Sequence, residues 1–319
     1  MYNTEVKQAF LDEYIQTPLS KKFYYLIFEA FEPYEMEWEA DLCTVPEESL
    51  REVIKNISGM RHTSGVARIS ALKNYVRWSL ARGMPNARDD MLYIQDAGDG
   101  AFETKTVVNP LHLQQYLDIV FSPENDESID NIYRAFLWLL FSGVQPDDAL
   151  KIKSENIDFE NMEINFDNNK YPIYKGALPS IKNCINLTQF ARRRVDRKNP
   201  IYKDRFPGDY LMRGLNGVMS KSVIKVGISK KIKEALDSGK TDIRVSPNRV
   251  WLSGLFYRMS EREMAGLPLD IEYMSTQIIE GREYTLSDVS ENVKRYKKKQ
   301  FINEYIHDYE RWKKTIKML

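Results

Sequence analysis

Residues 136–164 read FLWLLFSGVQPDDALKIKSENIDFENMEI, and the fold turns on how they are read. The apolar run from Ala135 to Val144 belongs to a helical stretch, DNIYRAFLWLLFSG, that closes on Gly143 with Pro146 just beyond. The period then changes. "NIDFE", "MEINFD" and "YPIYK" are short alternating pieces separated by Asn- and Asp-rich turns, which predicts a small antiparallel meander. Between helix and meander stand Gln145, Asp147 and Asp148, a polar corner whose chemistry is the main functional question.

Working outward, the N-terminal side reads as helix. "TEVKQAFLDEYIQ", "SKKFYYLIFEAFEPYEMEWEADL", "PEESLREVIKNI" and "SGVARISALKNYVRWSLARG" each carry helical periodicity, and the last stops at Gly83 before Pro85. Periodicity fades from about Asp96, where Gly becomes frequent. The expected organisation is a helical domain over 1–100, a linker over 101–109 and a second domain over 110–319. That second domain opens with "LHLQQYLDIVF", passes through the meander, returns to helices from about Leu187, and ends in a long helical tail from Leu286. The fold class is mainly α with a small antiparallel β-sheet.

Composition narrows the function. The apolar run of about ten residues is half of the roughly twenty that a bilayer helix requires, and the acidic N-terminus has no apolar signal segment, so a cytoplasmic protein with no membrane contact is expected. Cys43 and Cys184 stand far apart without ligand spacing, which predicts reduced thiols, no metal site and no cofactor. The 46 basic and 46 acidic residues cancel, yet they are sorted along the chain. Residues 1–50 hold 3 Lys and Arg against 11 Asp and Glu; residues 51–88 hold 8 against 1; residues 161–319 hold 31 against 19. Basic surface gathered in two regions can follow a phosphate backbone even on a neutral molecule.

The order of a helical domain, a linker, two helices, three short strands and further helices resembles the tyrosine recombinase (phage integrase) family. At residue level the likeness centres on 133–164, where the family's pattern L-L-x-x-T-G-L-R-x-x-E-L-L-x-L runs into a strand. Here Ser142-Gly143, Leu150, Ile152 and Ile157-Asp158-Phe159 match it, and Asp148 stands at the family's Glu. Gln145 stands at its first catalytic arginine.

That resemblance implies a two-domain fold, a core-binding helical domain plus an α+β catalytic-like domain, closing on duplex DNA as a clamp. It also locates the expected chemistry. The family's H-x-x-R box falls on "IRVSPNRV", keeping Arg249 but placing Ser246 at the histidine. Its hairpin lysine falls on Lys170, with Lys175 as the alternative. Its nucleophile falls on Tyr296, with Tyr305 and Tyr309 as alternatives, and Ser287 then stands at the preceding histidine. The chain's three histidines, His62, His112 and His307, lie outside both motifs. A guanidinium lost from a transition-state oxyanion costs about 2.7–4 kcal/mol, and an amide does not replace its charge.

The expected DNA contacts follow. On the fourth helix Val66, Ile69, Leu72, Val76 and Leu80 form an apolar stripe, with Ser70, Lys73, Asn74 and Arg77 at helical spacing beside it, along with Arg68. Arg61, His62, Thr63 and Ser64 read as a capped helix start able to meet a phosphate. Lys170, Lys175 and Arg249 are expected near the vacated cleft, with Arg192, Arg193 and Arg194 as weaker candidates. The function expected is a sequence-specific repressor of a prophage lytic programme, acting on double-stranded operator DNA at the nucleoid of a bacterial host, on an inactivated recombinase fold. The alternative is an active, divergent recombinase. The tail, "FINEYIHDYERWKK", is expected to pack on its own domain, with docking on a neighbouring copy as the other possibility.

Overall fold

The computed structural model describes residues 1–57, 61–95, 105–121, 128–192, 201–278 and 291–316. The chain divides into two compact units. Met1–Glu103 joins with Asn303–Leu319 in one, and Thr104–Ile302 forms the other. The last turns of the tail thus count with the N-terminal unit, whereas the sequence reading kept them with the second domain.

The first unit is helical: α1 (Thr4–Tyr14), α2 (Pro18–Trp38), α3 (Glu47–Ile57), α4 (His62–Ala81) and the single-turn α5 (Asp90–Tyr93). Helix α2 starts where Thr17 accepts a hydrogen bond from the Ser20 N–H at 3.2 Å, with Pro18 in the first turn where its missing N–H costs nothing. It buries Tyr24, Ile27, Phe28, Phe31 and Glu35. Phe10 of α1 packs edge-on against Tyr24 and Tyr75, each at 5.3 Å between ring centres. Inside this core Lys7 and Glu35 are both fully buried and paired at 2.6 Å, and the Leu42 N–H also donates to Glu35 at 2.9 Å. Burial still pushes the Glu35 carboxyl above its ordinary range, against the pull of Lys7.

The second unit is built around α7 (Ile129–Ser142), preceded by α6 (Pro110–Val120). From Ala135 to Ser142 every side chain of α7 is buried, so this helix is wrapped on all sides and has no polar face. Its end is set by Gly143 at φ 113, a left-handed position open to glycine. After a polar turn come β1 (Ile157–Asp158), β2 (Glu163–Phe166) and β3 (Asn169–Pro172), antiparallel in the order β1-β2-β3. Asp167 and Asn168 at φ 49 and 61 form the two-residue turn that pairs Phe166 with Asn169 and Asn165 with Lys170. This turn starts the third strand at Asn169, two residues earlier than "YPIYK" implied.

Then follow α8 (Leu178–Asn186), β4 (Gln189–Arg192), β5 (Ile201–Asp204), α9 (Lys221–Asp237), α10 (Pro247–Met264), α11 (Ile271–Ile278) and α12 (Glu291–Ile316). The hairpin β4–β5, with Gln189 opposite Asp204, corrects the expectation of helix from Leu187. Helix α10 crosses α7 closely enough that Gly254 faces the backbone of Phe141. The element order is helical unit, two helices, three-stranded meander and further helices, as the recombinase resemblance implies. Residues 101–104 of the expected linker, Arg193, Arg194, Ser287 and the first residues of the expected tail helix lie outside the described residues.

Candidate nucleic-acid interface

The polar corner is held from both sides. The carbonyl of Gln145 accepts from the N–H groups of Asp148 and Ala149 at 3.0 and 2.9 Å, bending the chain through one helical turn. Asp147 is clamped by Lys221, the first residue of α9, at 2.6 Å, and Asp148 pairs with Lys151 at 2.8 Å. Gln145 itself is half-buried. The indole of Trp251 in α10 donates to the Gly143 carbonyl at 3.2 Å, so the end of α7 is tied to the first turns of α10.

Those first turns carry the two other expected residues. Ser246 is the N-cap of α10 without a side-chain capping bond, and Arg249 lies one turn on, half-buried, donating to the Arg244 carbonyl at 2.7 Å. The Val245 N–H donates to the Tyr116 hydroxyl at 3.3 Å. Burial pushes that phenol up to about 12, with the Arg249 charge acting in the opposite sense. Gln145, Ser246 and Arg249 are therefore brought to one neighbourhood through the Trp251–Gly143 bond. An amide there can donate a hydrogen bond to a phosphate oxygen but supplies no charge, while two carboxylates lie within three residues.

Lys170 and Lys175 are both exposed; Lys170 on the hairpin donates to Glu163 at 2.8 Å. Tyr296 is 70% exposed on α12, whereas Tyr305 and Tyr309 are buried at 4% and 0%. As placed, neither buried phenol can reach a phosphate. The exposed Arg295, Lys297 and Lys299 make this turn of the helix basic around Tyr296, and the run "KRYKKK" is the sequence signal for it.

In the first unit α4 buries Ile69, Leu72 and Val76 as expected, while Val66 remains 43% exposed. Of the polar face, Ser70 and Arg77 are exposed and Lys73 and Asn74 half-buried. The Asn74 amide donates to the Tyr24 hydroxyl at 3.0 Å, which partly commits it to the core, and Arg77 donates to Asn74 at 3.4 Å. Arg68 reaches back to the Ile57 carbonyl, and burial lowers its pKa; it ties α4 to α3.

The start of α4 differs from the expectation. Thr63 and Ser64 are exposed and neither caps; the N-cap is Arg61 in extended conformation, without a side-chain capping bond. The first N–H, of His62, donates to Asp308 of α12 at 2.8 Å. Arg61 pairs with Asp308 at 2.6 Å and Glu304 at 3.1 Å, and stacks on Tyr305 at 3.8 Å, while His62 lies 4.8 Å from His307. A carboxylate from the same chain thus occupies the helix start read as a phosphate site, because its charge answers both the helix dipole and Arg61. Nothing local in the sequence links residues 246 positions apart.

Residues 1–81 match the family described as MrpR, N-terminal core-binding domain. The match ends where α4 ends, so the matched region comprises the first four helices. No curated protein is matched. Similar solved structures include XerA recombinase, at 14% identity and a TM-score of 0.37, over 93% of this chain and 98% of that one. The Tn1549 transposon integrase in complex with circular intermediate DNA is similar at 14% identity and 0.37, over 92% and 97%. A lambda integrase dimer bound to a COC' core site is similar at 10% identity and 0.35, over 88% and 95%. No helix among the described residues is long and apolar enough to cross a membrane, and no group of three or more His, Cys, Asp or Glu among them is arranged to hold a metal ion.

Proposed function

We propose that this protein is a sequence-specific DNA-binding repressor of a prophage lytic programme, built on a recombinase scaffold that no longer breaks the strand. The sequence as a whole resembles the master repressor of lysogeny in SPβ-type prophages, and the core-binding match over 1–81 supports that reading. Gln145 carries the proposal. It stands two residues past Gly143, whose carbonyl Trp251 ties to the helix of Arg249, at the position where strand transfer would require a second fixed positive charge, and its acidic neighbours in the chain, Asp147 and Asp148, are held by lysines. Operator DNA would be met by Ser70 and Arg77 on α4, by the basic turn of α12, and by Arg249, Lys170 and Lys175 in the second unit.

The exposure of Tyr296 favours one competing reading, an active recombinase that uses this phenol. A nicked DNA substrate with a bridging phosphorothiolate decides between them. The repressor reading predicts a salt-sensitive gel shift and footprint with no covalent adduct; an adduct lost in Tyr296→Phe establishes the recombinase instead.

A further inference from the structure

The chain's zero net charge divides between its two units. Met1–Glu103 with Asn303–Leu319 holds 15 Lys and Arg against 20 Asp and Glu, and Thr104–Ile302 holds 31 against 26. Each unit also leaves one apolar surface open. On the acidic unit, the side of α2 turned away from its buried face presents Leu19, Phe23 and Leu26 at 82, 38 and 57% exposure. With half-buried Ala30 they recur at steps of four, three and four residues, the spacing of a helix seam that meets a partner. Exposed Lys22 adjoins the stripe at its start, and exposed Glu29 and Glu37 follow it, so that α2 carries two lysines against four carboxylates.

On the basic unit, α9 and the β4–β5 hairpin enclose a groove of about 890 Å³. Its apolar walls include Tyr133, Phe190, Leu215 and Val223, and its charged lining among the described residues is Lys203, Lys230 and Lys231, of which Lys231 pairs with Asp130 and Lys230 with Glu234. Gly227 makes room for Tyr133 in the wall, since a Cβ there would run into the phenol hydroxyl and ring. Leu215 and Val223 are 44 and 53% exposed, so the groove is a surface feature able to admit a helix.

We propose that α2 of one copy seats its Leu19–Phe23–Leu26 stripe in this groove on a second copy. Charge complementarity selects that occupant: an acidic helix with an apolar seam faces an apolar groove lined by lysines. The tail is not available for the role, because Tyr305, Tyr309 and Trp312 are buried. Stripe and groove are different surfaces, so one such contact leaves the groove of the first copy and the stripe of the second unused. One helix in one groove is a small interface, which sets a weak affinity of roughly micromolar order.

Sedimentation velocity on the full-length protein tests this. The weight-average coefficient should rise with concentration at about 0.1 M salt, and association should weaken several-fold at about 1 M, where the screening length falls to about 3 Å. Leu26→Lys and Val223→Glu, both at exposed positions, should each remain monomeric with an unchanged far-ultraviolet spectrum and melting curve. Mixed together they should form a dimer and stop there, because the first supplies an intact groove and the second an intact stripe. A wild type that stays monomeric throughout, a mixture that does not pair, or a Val223→Glu protein that associates like wild type would each overturn the proposal; the last would indicate contact between two α2 helices.

Discussion

Gly254 shows how little room single side chains have in the second unit. A Cβ at this position would lie 2.6 Å from the Phe141 carbonyl carbon and 2.7 Å from its Cα, both backbone atoms that cannot swing aside. Gly254→Ala is expected to destabilise by about 1–3 kcal/mol, against the gain alanine brings to a helix elsewhere. Calorimetry would show it as a drop of roughly 2–4 °C per kcal/mol. His112 gives a pH signature. Burial lowers its pKa, and its Nδ1 accepts the Val108 N–H at 3.3 Å, so the folded state keeps the ring neutral. The unfolded chain therefore binds a proton at higher pH than the folded one. Stability from this group is complete above the ordinary histidine pKa of about 6.5 and falls as pH drops toward the lower folded value. Urea midpoints of His112→Gln should lose part of the decline between about pH 6.5 and 5 that wild type shows. On the proposed repressor reading, Arg77→Ala should relax base preference at one position, costing about 1–3 kcal/mol there, while Arg249→Ala should weaken all sequences alike in competition gel shifts. Gln145 and Ser246 could be read from motif position, because a turn after an apolar helix and a Pro-started helix are local features. The partial commitment of Asn74 to Tyr24 could not, since their contact joins residues 50 positions apart.

Elements with a strong internal period are legible in the sequence, and those defined by distant partners are not. α1 to α4 and α6 to α7 follow from the spacing of their apolar residues, which burial against one face requires. The meander was found through its turns, but its last strand was placed late because the two-residue turn at Asp167-Asn168, not the apolar pattern, sets the register. β4 and β5 carry only four residues each, and their stability depends on each other, so neither announced itself. The start of α4 is the clearest case. Its cap is Asp308, 99% shielded in its side chain and shared between the His62 N–H and Arg61. Asp308→Ala takes from the His62 N–H its acceptor and from Arg61 the nearer of its two carboxylates, and Arg61→Ala leaves the Asp308 carboxylate without its closest cation. A broken pair at this depth costs about 3 kcal/mol, the lower end for buried pairs because Arg61 keeps 20% exposure. Hydrogen exchange should show both variants accelerating amides of the first turn of α4 and of 303–316 together, while β1–β3 remain as protected as in wild type. If only the α12 amides respond, Asp308 is not the cap.

The two ends of the chain build one unit. Arg61 stacks on Tyr305 and the His62 N–H donates to Asp308, and Asn303–Leu319 counts with Met1–Glu103, so the start of α4 is completed only when the last helix has been made. The second unit, Thr104–Ile302, has its own core centred on α7 and includes none of residues 303–319. Removing 303–319 therefore has a directional consequence that a division into an N-terminal and a C-terminal half would not suggest. The truncated chain exposes the apolar surface that Tyr305, Tyr309 and Trp312 covered, and at about 25 cal/mol per Å² three large aromatic side chains represent several kcal/mol, a large part of the roughly 5–15 kcal/mol that holds a domain together. Scanning calorimetry of the truncated protein should show the transition assigned to residues 1–103 lowered by more than about 10 °C or absent, with the transition of the second unit within about 2 °C of its original position. Tryptophan fluorescence separates the two, since Trp38 and Trp78 report on the first unit and Trp138 and Trp251 on the second. A parallel fall in both transitions, or a first unit that melts unchanged, would show that 303–319 does not belong to the N-terminal core. The same truncation removes only four of the chain's basic residues and keeps the run at 294–299, so the proposed DNA-binding function predicts that non-specific affinity at about 50 mM salt survives the truncation.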